Sequence, residues 1–301
     1  MNTRDLTFTS NRTDLVGTLT VPFGDGPFPG ALIVAGSGPL DRDGNHEKLP
    51  LSVSKDLAEI LAGIGWASFR FDKRGIGASG GDYLSTGFYE ERDDAIAALY
   101  RLRDLPEIDR TVVIGHSVGA LYASEMSASE EGLEGAVLLA YTLKSGYDTL
   151  VWQAGAIGES IPGFVKTLLK VFRSSVEKQQ QKAIRKLRST TSDTQRIQGQ
   201  KINAKWMREF IEYDPAPVLS VTKTPLLAIT GSKDVQVDPA DLVEVKAMLG
   251  DRVETHDVPD VDHILRYTEA PFSDPKKYKQ QVSQPLDARV ISALADWLDV
   301  R

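Results

Sequence analysis

The chain has 301 residues, of which 41% are hydrophobic, and it carries a net charge of −7 with four histidines and no cysteine. This composition predicts one large folded core, excludes disulfide and thiolate chemistry, and argues against a metal centre or a nucleic-acid partner. No stretch approaches the roughly 18 apolar residues that span a membrane, and the first residues lack an apolar signal core. We therefore expect a cytoplasmic protein with no membrane partner and no cofactor.

The predicted strands begin with a hairpin and continue as buried runs. Two alternating runs, 6–10 and 15–21, predict an antiparallel hairpin. Continuous apolar runs suited to buried parallel strands follow at 31–35, 66–71, 111–115, 135–140, 225–230 and 252–258. Apolar residues recur at helical spacing between and after them, at 53–61, 95–102 and 291–298. This alternation predicts an α/β fold with a doubly wound, mostly parallel sheet of eight strands.

The segment 146–217 interrupts the alternation and shows no convincing strand pattern. We predict that it is an inserted helical cap, with the core formed by 1–145 and 218–301. Its position after the sixth strand would place it over the carboxyl ends of the strands, where α/β sheets bind ligands. Its aromatic and methionine side chains are candidates either to line a substrate pocket or to form the core of the cap; they are Trp152, Phe164, Trp206, Met207 and Phe210.

The charge of the predicted cap differs from that of the core. The segment 146–217 holds twelve Lys or Arg residues and seven Asp or Glu residues, so its net charge is +5 and the rest of the chain carries −12. This charge is consistent with a preference for acidic substrates, but also with an ordinary solvated helix surface.

A Gly-x-Ser-x-Gly sequence at 115–119 directly follows the β-branched run and precedes small residues typical of a helix start. This pattern indicates a nucleophile elbow, in which the serine stands exposed at the top of the sheet. Glycines at both ends remove the Cβ atoms that would collide in so sharp a turn. Ser117 is therefore the candidate nucleophile, and the alternative is an ordinary Gly-rich turn.

A serine nucleophile needs a base to accept its proton. His263 follows the last predicted strand in a loop that can reach back across the strand ends, so we predict that it is the base. We interpret the other histidines as structural or pocket residues: His116 points away from Ser117, His256 lies inside a strand pattern, and His46 lies in a distant polar loop.

The base in turn needs a carboxylate that holds it in the correct tautomer. Asp234 follows the seventh strand and lies between nucleophile and base in chain order, as this arrangement requires. Alternatives are Asp238, which is better placed to begin a helix, and Asp148, which follows the sixth strand. Asp262 is adjacent to His263 and has poor geometry for the role.

A tetrahedral intermediate also needs backbone donors. We predict the N–H groups of Val118 and of Ser37, because Ser37 lies in a Gly-rich loop after the third strand. We expect the charged residues 41–43, Asp-Arg-Asp, to form an ion-paired brace for that loop. We interpret Arg74 as scaffolding of the same kind.

Four motifs together resemble the α/β-hydrolase superfamily. They are the elbow, Asp-Lys-Arg-Gly-Ile-Gly-Ala-Ser at 72–79, Gly-Ser-Lys-Asp-Val-Gln-Val at 231–237 and the late Asp-His pair at 262–263. The N-terminal hairpin, the loop 36–44 and Tyr-Asp-Pro at 213–215 resemble bacterial serine esterases near the prolyl-oligopeptidase and serine aminopeptidase (S33-like) groups.

The resemblance implies a cofactor-free Ser-His-Asp enzyme that cleaves carboxylic esters through an acyl-enzyme. We expect small-molecule esters with short to medium acyl groups, and a homo-oligomer is possible. An aminopeptidase or amidase, a carbon–carbon bond hydrolase and an acyl transferase would use the same triad. A non-catalytic ligand receptor of the same fold is an alternative from another class.

Overall fold

The computed structural model of the chain describes residues 1–159, 184–197, 199–270, 273 and 278–301. The strands in this part of the chain are β1 (Asn2–Ser10), β2 (Thr13–Val21), β3 (Phe28–Val34), β4 (Ala67–Phe71), β5 (Ile108–His116), β6 (Leu133–Leu139), β7 (Thr194–Ile197), β8 (Gln200–Asn203), β9 (Leu226–Gly231) and β10 (Val253–Val258).

The helices follow the strands in the expected alternation. They are α1 (Val53–Gly63), α2 (Phe88–Arg103), α3 (Val118–Ser129), α4 (Gly146–Glu159), α5 (Ala204–Glu212), α6 (Pro215–Val221), α7 (Asp241–Leu249), α8 (Tyr278–Gln281) and α9 (Ala288–Asp299). Residues 184–189 are also helical. None of the helices in the described ranges is long and apolar enough to cross a membrane.

Eight strands form one sheet in the order β1-β2-β4-β3-β5-β6-β9-β10. The N-terminal hairpin pairs antiparallel, with Phe8 opposite Leu15, and β2 also runs antiparallel to β4. The remaining neighbours are parallel. The prediction of a doubly wound, mostly parallel eight-stranded sheet is confirmed. Parallel pairing aligns the carboxyl ends of β3, β5, β9 and β10 at one edge of the sheet, so the loops that follow those strands lie close together.

The sheet is covered on both faces, as continuous apolar strands require. Successive residues of β5 point to opposite sides: Val113 belongs to one apolar cluster with Leu99 of α2, and Val112 to another with Leu57 of α1 and Leu294 of α9. All five side chains are fully buried. The strand that ends in the elbow is therefore held rigidly from both sides.

The segment 146–217 contains two strands that the sequence pattern did not predict. β7 and β8 pair antiparallel, with Gln195 opposite Ile202. The expectation of no strand in this segment is wrong, because each strand has four largely polar residues and no apolar alternation marks it. The predicted cap boundaries at 146 and 217 stay a prediction.

Candidate active site

The turn between β5 and α3 holds Ser117 in a strained conformation, with φ 56° and ψ −122°. A Cβ atom on Gly115 would overlap the main-chain oxygen of Gly119, and one on Gly119 would overlap the main-chain oxygen of Val34. The two glycines of the elbow are therefore required sterically. The Ser117 amide donates to Leu139 O at 2.8 Å, which ties the turn to the neighbouring strand β6.

Three of the predicted residues meet at the carboxyl ends of the strands. Ser117 Oγ lies 3.0 Å from His263 Nε2, and His263 Nδ1 lies 2.7 Å from Asp234 Oδ2. His263 and Asp234 are each only 4% exposed, whereas Ser117 is half-buried and reaches the surface of a cleft. This continuous chain of hydrogen bonds can carry a proton away from Ser117 while the carboxylate stabilises the charged imidazole.

The turn after β9 fixes Asp234. Its Oδ1 accepts the amides of Gln236 at 2.7 Å and Val237 at 3.0 Å, so Oδ2 is left for His263. The turns after β9 and β10 are joined as well, because the Lys233 amide donates to Val261 O at 2.9 Å. The Asp234 side chain and the loop that carries His263 are thus held by main-chain hydrogen bonds and not by side-chain packing alone.

His116 contacts the loop that carries His263. Its Nε2 lies 2.8 Å from the main-chain oxygen of His263, and the two rings are 5.1 Å apart. Burial, with a smaller contribution from the nearby His263, lowers the pKa of His116 to about 4. The ring is therefore neutral near pH 7, with the proton on Nε2 donated to that carbonyl.

The alternative acids are engaged elsewhere. Asp238 Oδ2 lies 3.1 Å from Lys144 Nζ, and Asp148 Oδ2 accepts the Ser145 hydroxyl at 2.6 Å. Asp262 Oδ1 accepts the amides of Ile264 at 3.1 Å and Arg266 at 3.3 Å, which shapes the loop that carries the base.

The predicted oxyanion donors lie on either side of Ser117 in the fold. Val118 is the first residue of α3, and its N–H has no partner within the helix. Ser37 lies in the loop after β3, where a Cβ atom on Gly36 would be 3.2 Å from Ser117 Cβ. Within the described ranges neither amide donates to a protein acceptor, so both are available to an anionic oxygen.

A cleft of about 310 Å³ opens beside Ser117. One wall is apolar and comes from the loop between β3 and α1; it is formed by Leu40, Leu49, Leu51 and Val53. Polar lining groups are His46 of the same loop, Gln236 after β9 and Tyr278 at the start of α8. Burial raises the pKa of the Tyr278 hydroxyl far above its usual value, so it is a neutral group. Nothing local in the sequence predicts this wall, because only the tertiary fold brings residues 40–51 beside Ser117.

The structure corrects the predicted pocket residues. Trp206 and Phe210 of α5 stack at 5.0 Å between ring centroids and pack against Phe88 of α2, where they are 7% and 5% exposed. They form core, since the apolar stripe of α5 faces α2. Trp152 and Met207 do not line the cleft beside Ser117 either. Phe164 lies outside the described residues.

The charged loop behaves as predicted in part. Arg42 pairs with Asp72 at 2.7 Å, and Asp43 pairs with Arg70 at 2.9 Å. Asp41 forms no ion pair in the described chain; it accepts the amides of Asp43 and Asn45 and closes a turn. The prediction of an ion pair at Asp41 is wrong, because its carboxylate binds main-chain amides of the same loop.

Arg74 has a structural role, but it braces the N-terminal hairpin and not the loop after β3. Its guanidinium binds both carboxylate oxygens of Asp94 at 2.7 Å and the main-chain oxygen of Ser10 at 3.2 Å. It therefore joins α2 to the N-terminal hairpin and not to the loop after β3.

Residues 51–267 match the family described as serine aminopeptidase, S33. The chain belongs to the serine aminopeptidase S33 family. The predicted resemblance to α/β-hydrolases near the S33 group is thereby confirmed.

This S33 family member also resembles named proteins. It is 28% identical over 287 residues to esterase EstD of Thermotoga maritima, an alignment that includes 94% of this chain but only 65% of the length of that relative. The structure of Est1E from Butyrivibrio proteoclasticus with bound ferulic acid superposes with a TM-score of 0.65 at 14% identity, covering 97% of each chain. An esterase of Pyrococcus furiosus superposes at 0.59 with 19% identity, covering 87% of this chain and 84% of that one. These structural likenesses show a shared fold.

Proposed function

We propose that this S33 family member is a carboxylic ester hydrolase in which Ser117 is the nucleophile, His263 the general base and Asp234 the orienting acid. The observation that carries the proposal is the hydrogen-bonded chain from Asp234 through His263 to Ser117, which ends at an open cleft. The relatives described above support it, since EstD and the Pyrococcus furiosus protein are both named as esterases.

The first half-reaction forms an acyl-enzyme. His263 Nε2 accepts the proton of Ser117 Oγ as the oxygen attacks the ester carbonyl carbon. The carbonyl electrons move to the oxygen, which the amides of Ser37 and Val118 would stabilise together with the positive end of α3. Asp234 stabilises the imidazolium while it exists.

The tetrahedral intermediate then collapses to the acyl-enzyme with one proton transfer, and water hydrolyses the acyl-enzyme with two more. The imidazolium of His263 donates its proton to the leaving alcohol oxygen as the ester C–O bond breaks. A water molecule, deprotonated by the same ring, attacks the acyl carbon, and the proton returns to Ser117 Oγ as the acid departs.

The cleft supports short to medium acyl esters as substrates. Its volume of about 310 Å³ lies at the small end of the range of small-molecule sites, and its wall of three leucines and a valine is suited to an acyl or alcohol group. The polar lining residues His46, Gln236 and Tyr278 would fix the orientation of the ester.

Peptide hydrolysis is the second candidate, because the family takes its description from a serine aminopeptidase. An aminopeptidase needs a carboxylate to bind the free amino terminus. Among the described residues that line the cleft, none is Asp or Glu. This absence of negative charge favours the ester over the peptide.

A direct test compares p-nitrophenyl esters from acetate to dodecanoate with a panel of aminoacyl p-nitroanilides. We expect turnover of the shorter esters that is lost in Ser117→Ala. Turnover of the anilides alone would support the aminopeptidase, and failure of both sets would overturn the hydrolase proposal. The cytoplasmic location, the cap over residues 146–217 and a homo-oligomer stay predictions.

A further inference from the structure

A buried lysine contacts the loop that carries a proposed oxyanion donor. Lys73 follows β4 and is 7% exposed, and its Nζ donates to the main-chain oxygen of Gly36 at 2.7 Å. The same Nζ donates to Glu91 Oε2 of α2 at 2.9 Å, and Glu91 is 5% exposed. The Tyr122 hydroxyl of α3 donates to that carboxylate oxygen at 3.3 Å.

The geometry of the peptide bond relates this contact to the reacting centre. The carbonyl of Gly36 and the N–H of Ser37 belong to one peptide unit, which is planar and trans, since Gly26-Pro27 is the cis bond found in the described chain. In a trans unit the C=O and the N–H point in opposite directions. The bond that draws the Gly36 oxygen inward to Lys73 therefore directs the Ser37 N–H outward, to the cleft that Ser37 and Ser117 both line.

The charge on Lys73 also strengthens that donor. A cation bound to a carbonyl oxygen draws electron density through the conjugated amide, which makes its N–H a better hydrogen-bond donor. The effect is largest in a buried, low-dielectric site such as this one.

We propose that Lys73 is a positioning residue of the oxyanion hole, which orients and polarises the Gly36–Ser37 peptide so that the Ser37 N–H meets the anionic oxygen. This inference rests on the proposed hydrolytic function. Glu91 holds the ammonium in place, and the pair links the loop after β3 to α2.

The neighbouring ion pair provides a matched control. Arg74 directly follows Lys73 in the loop after β4, and Asp94 lies three residues after Glu91 on α2; the two are also buried and paired at 2.7 Å. Arg74 contacts Ser10 in the N-terminal hairpin and has no contact with the loop after β3 among the described hydrogen bonds. Both pairs contribute to stability, but only one touches the proposed donor peptide.

The experiment compares two double variants, Lys73→Met/Glu91→Gln and Arg74→Met/Asp94→Asn. Removing both partners of a buried pair avoids an uncompensated charge, so both proteins can fold. Each is assayed well below its own melting temperature for kcat and KM on the best p-nitrophenyl ester, and for inhibition by a trifluoromethyl ketone, whose adduct with Ser117 places an anionic oxygen in the hole.

For Lys73→Met/Glu91→Gln we expect kcat to fall by about 10- to 100-fold, somewhat less than the loss of a whole oxyanion donor, because the amide is still present but free to turn. KM should hardly change, and the inhibition constant of the ketone should rise by the same factor as kcat falls. In Arg74→Met/Asp94→Asn, kcat and the inhibition constant of the ketone should both stay close to the wild-type values.

Equal kcat values for the two variants, or a loss confined to KM, would overturn the role of Lys73 while leaving the hydrolase proposal intact. If the wild type hydrolyses no ester, the proposed function fails by itself, and the rate at which a fluorophosphonate labels Ser117 replaces kcat. Slower labelling in the Lys73 variant alone would then support the inference, and equal labelling, or none in the wild type, would overturn it.

Discussion

The side chain of His116 donates from Nε2 to the main-chain oxygen of His263 at a distance of 2.8 Å. The residue before the proposed nucleophile thus supports the loop that carries the proposed base, so the elbow positions two members of the proposed triad and not one. His116 is buried among these turns, with 8% of its surface exposed, and this burial lowers its pKa to about 4 from an ordinary value of 6.5.

The first prediction concerns pH. Between about pH 6.5 and 4 the unfolded chain binds a proton at His116 and the folded protein does not, so the free energy of unfolding should decrease as the pH falls through this window. The shift corresponds to about 3 kcal/mol, at 1.36 kcal/mol per pKa unit. Urea unfolding of the wild type and of His116→Gln at several pH values should show a shallower dependence in the variant. Parallel curves would contradict this prediction.

Replacing Ser117 should distinguish its contribution to activity from the cost of its strained backbone conformation. Ser117→Ala and Ser117→Gly should both lower kcat/KM by about 10³-fold or more. Because φ is 56° at this position, glycine should relieve strain that alanine retains, and Ser117→Gly should be more stable by about 1 kcal/mol after the greater entropy of an unfolded glycine is included. Chemical denaturation of the two inactive proteins measures the difference, and a more stable alanine variant would disprove it.

The Asp234→Asn variant should keep the fold and lose most of its hydrolytic activity. The asparagine oxygen can still accept the amides of Gln236 and Val237, but its NH₂ group would then face His263 Nδ1 and favour the wrong tautomer. We expect kcat to fall by about 10³- to 10⁴-fold with an unchanged circular dichroism spectrum. Asp238→Asn is the matched control, because that carboxylate pairs with Lys144, and it should retain most of its activity.

The glycines of the elbow should not tolerate a methyl group. In Gly119→Ala the new Cβ would overlap the main-chain oxygens of Val34 and Ala35, which cannot move without displacing β3. We expect a loss of about 3 kcal/mol or more in stability, at the upper end of the cost of overpacking. Gly63→Ala, at the end of α1 with open space around it, should be neutral or slightly stabilising. Thermal unfolding of both variants measures these changes in stability, and equal melting temperatures would contradict the prediction.

The apolar wall of the cleft should determine which acyl length the protein prefers in its ester substrates. Leu49→Trp would fill part of the cleft of about 310 Å³ and should shift the preferred p-nitrophenyl ester to shorter acyl groups. Met207→Ala, in a segment that contributes no described residue to this cleft, should leave the order of preference unchanged. If Met207→Ala changes the profile and Leu49→Trp does not, the substrate group binds under the segment 146–217 instead.

Local patterns in the sequence were sufficient to predict the main sheet and the three residues that meet in the structure. Most strands of the main sheet are continuous or alternating apolar runs, and burial on one or both faces of a sheet requires that pattern. Ser117, Asp234 and His263 each follow such a strand. Because the carboxyl ends of parallel strands lie at one edge of the sheet, chain order alone indicates that these side chains come together.

Residues that act through long-range packing could not be predicted in this way. Trp206 and Phe210 look equally suitable for a pocket or a core, and only the position of Phe88 on α2 places them in core. Lys73 has no feature that distinguishes it from its neighbour Arg74 in the same motif, yet it alone reaches the Gly36 carbonyl.

The sequence by itself determined the family, the order of strands and helices along the chain, and the candidate triad, because each depends on residue type and on spacing between near neighbours. Only the tertiary structure decided which loop walls the cleft, which cation braces the proposed oxyanion donor and where the aromatic side chains pack. Those outcomes depend on contacts between residues far apart in the chain, where the shape of the packed interior selects one arrangement among several that the local pattern allows.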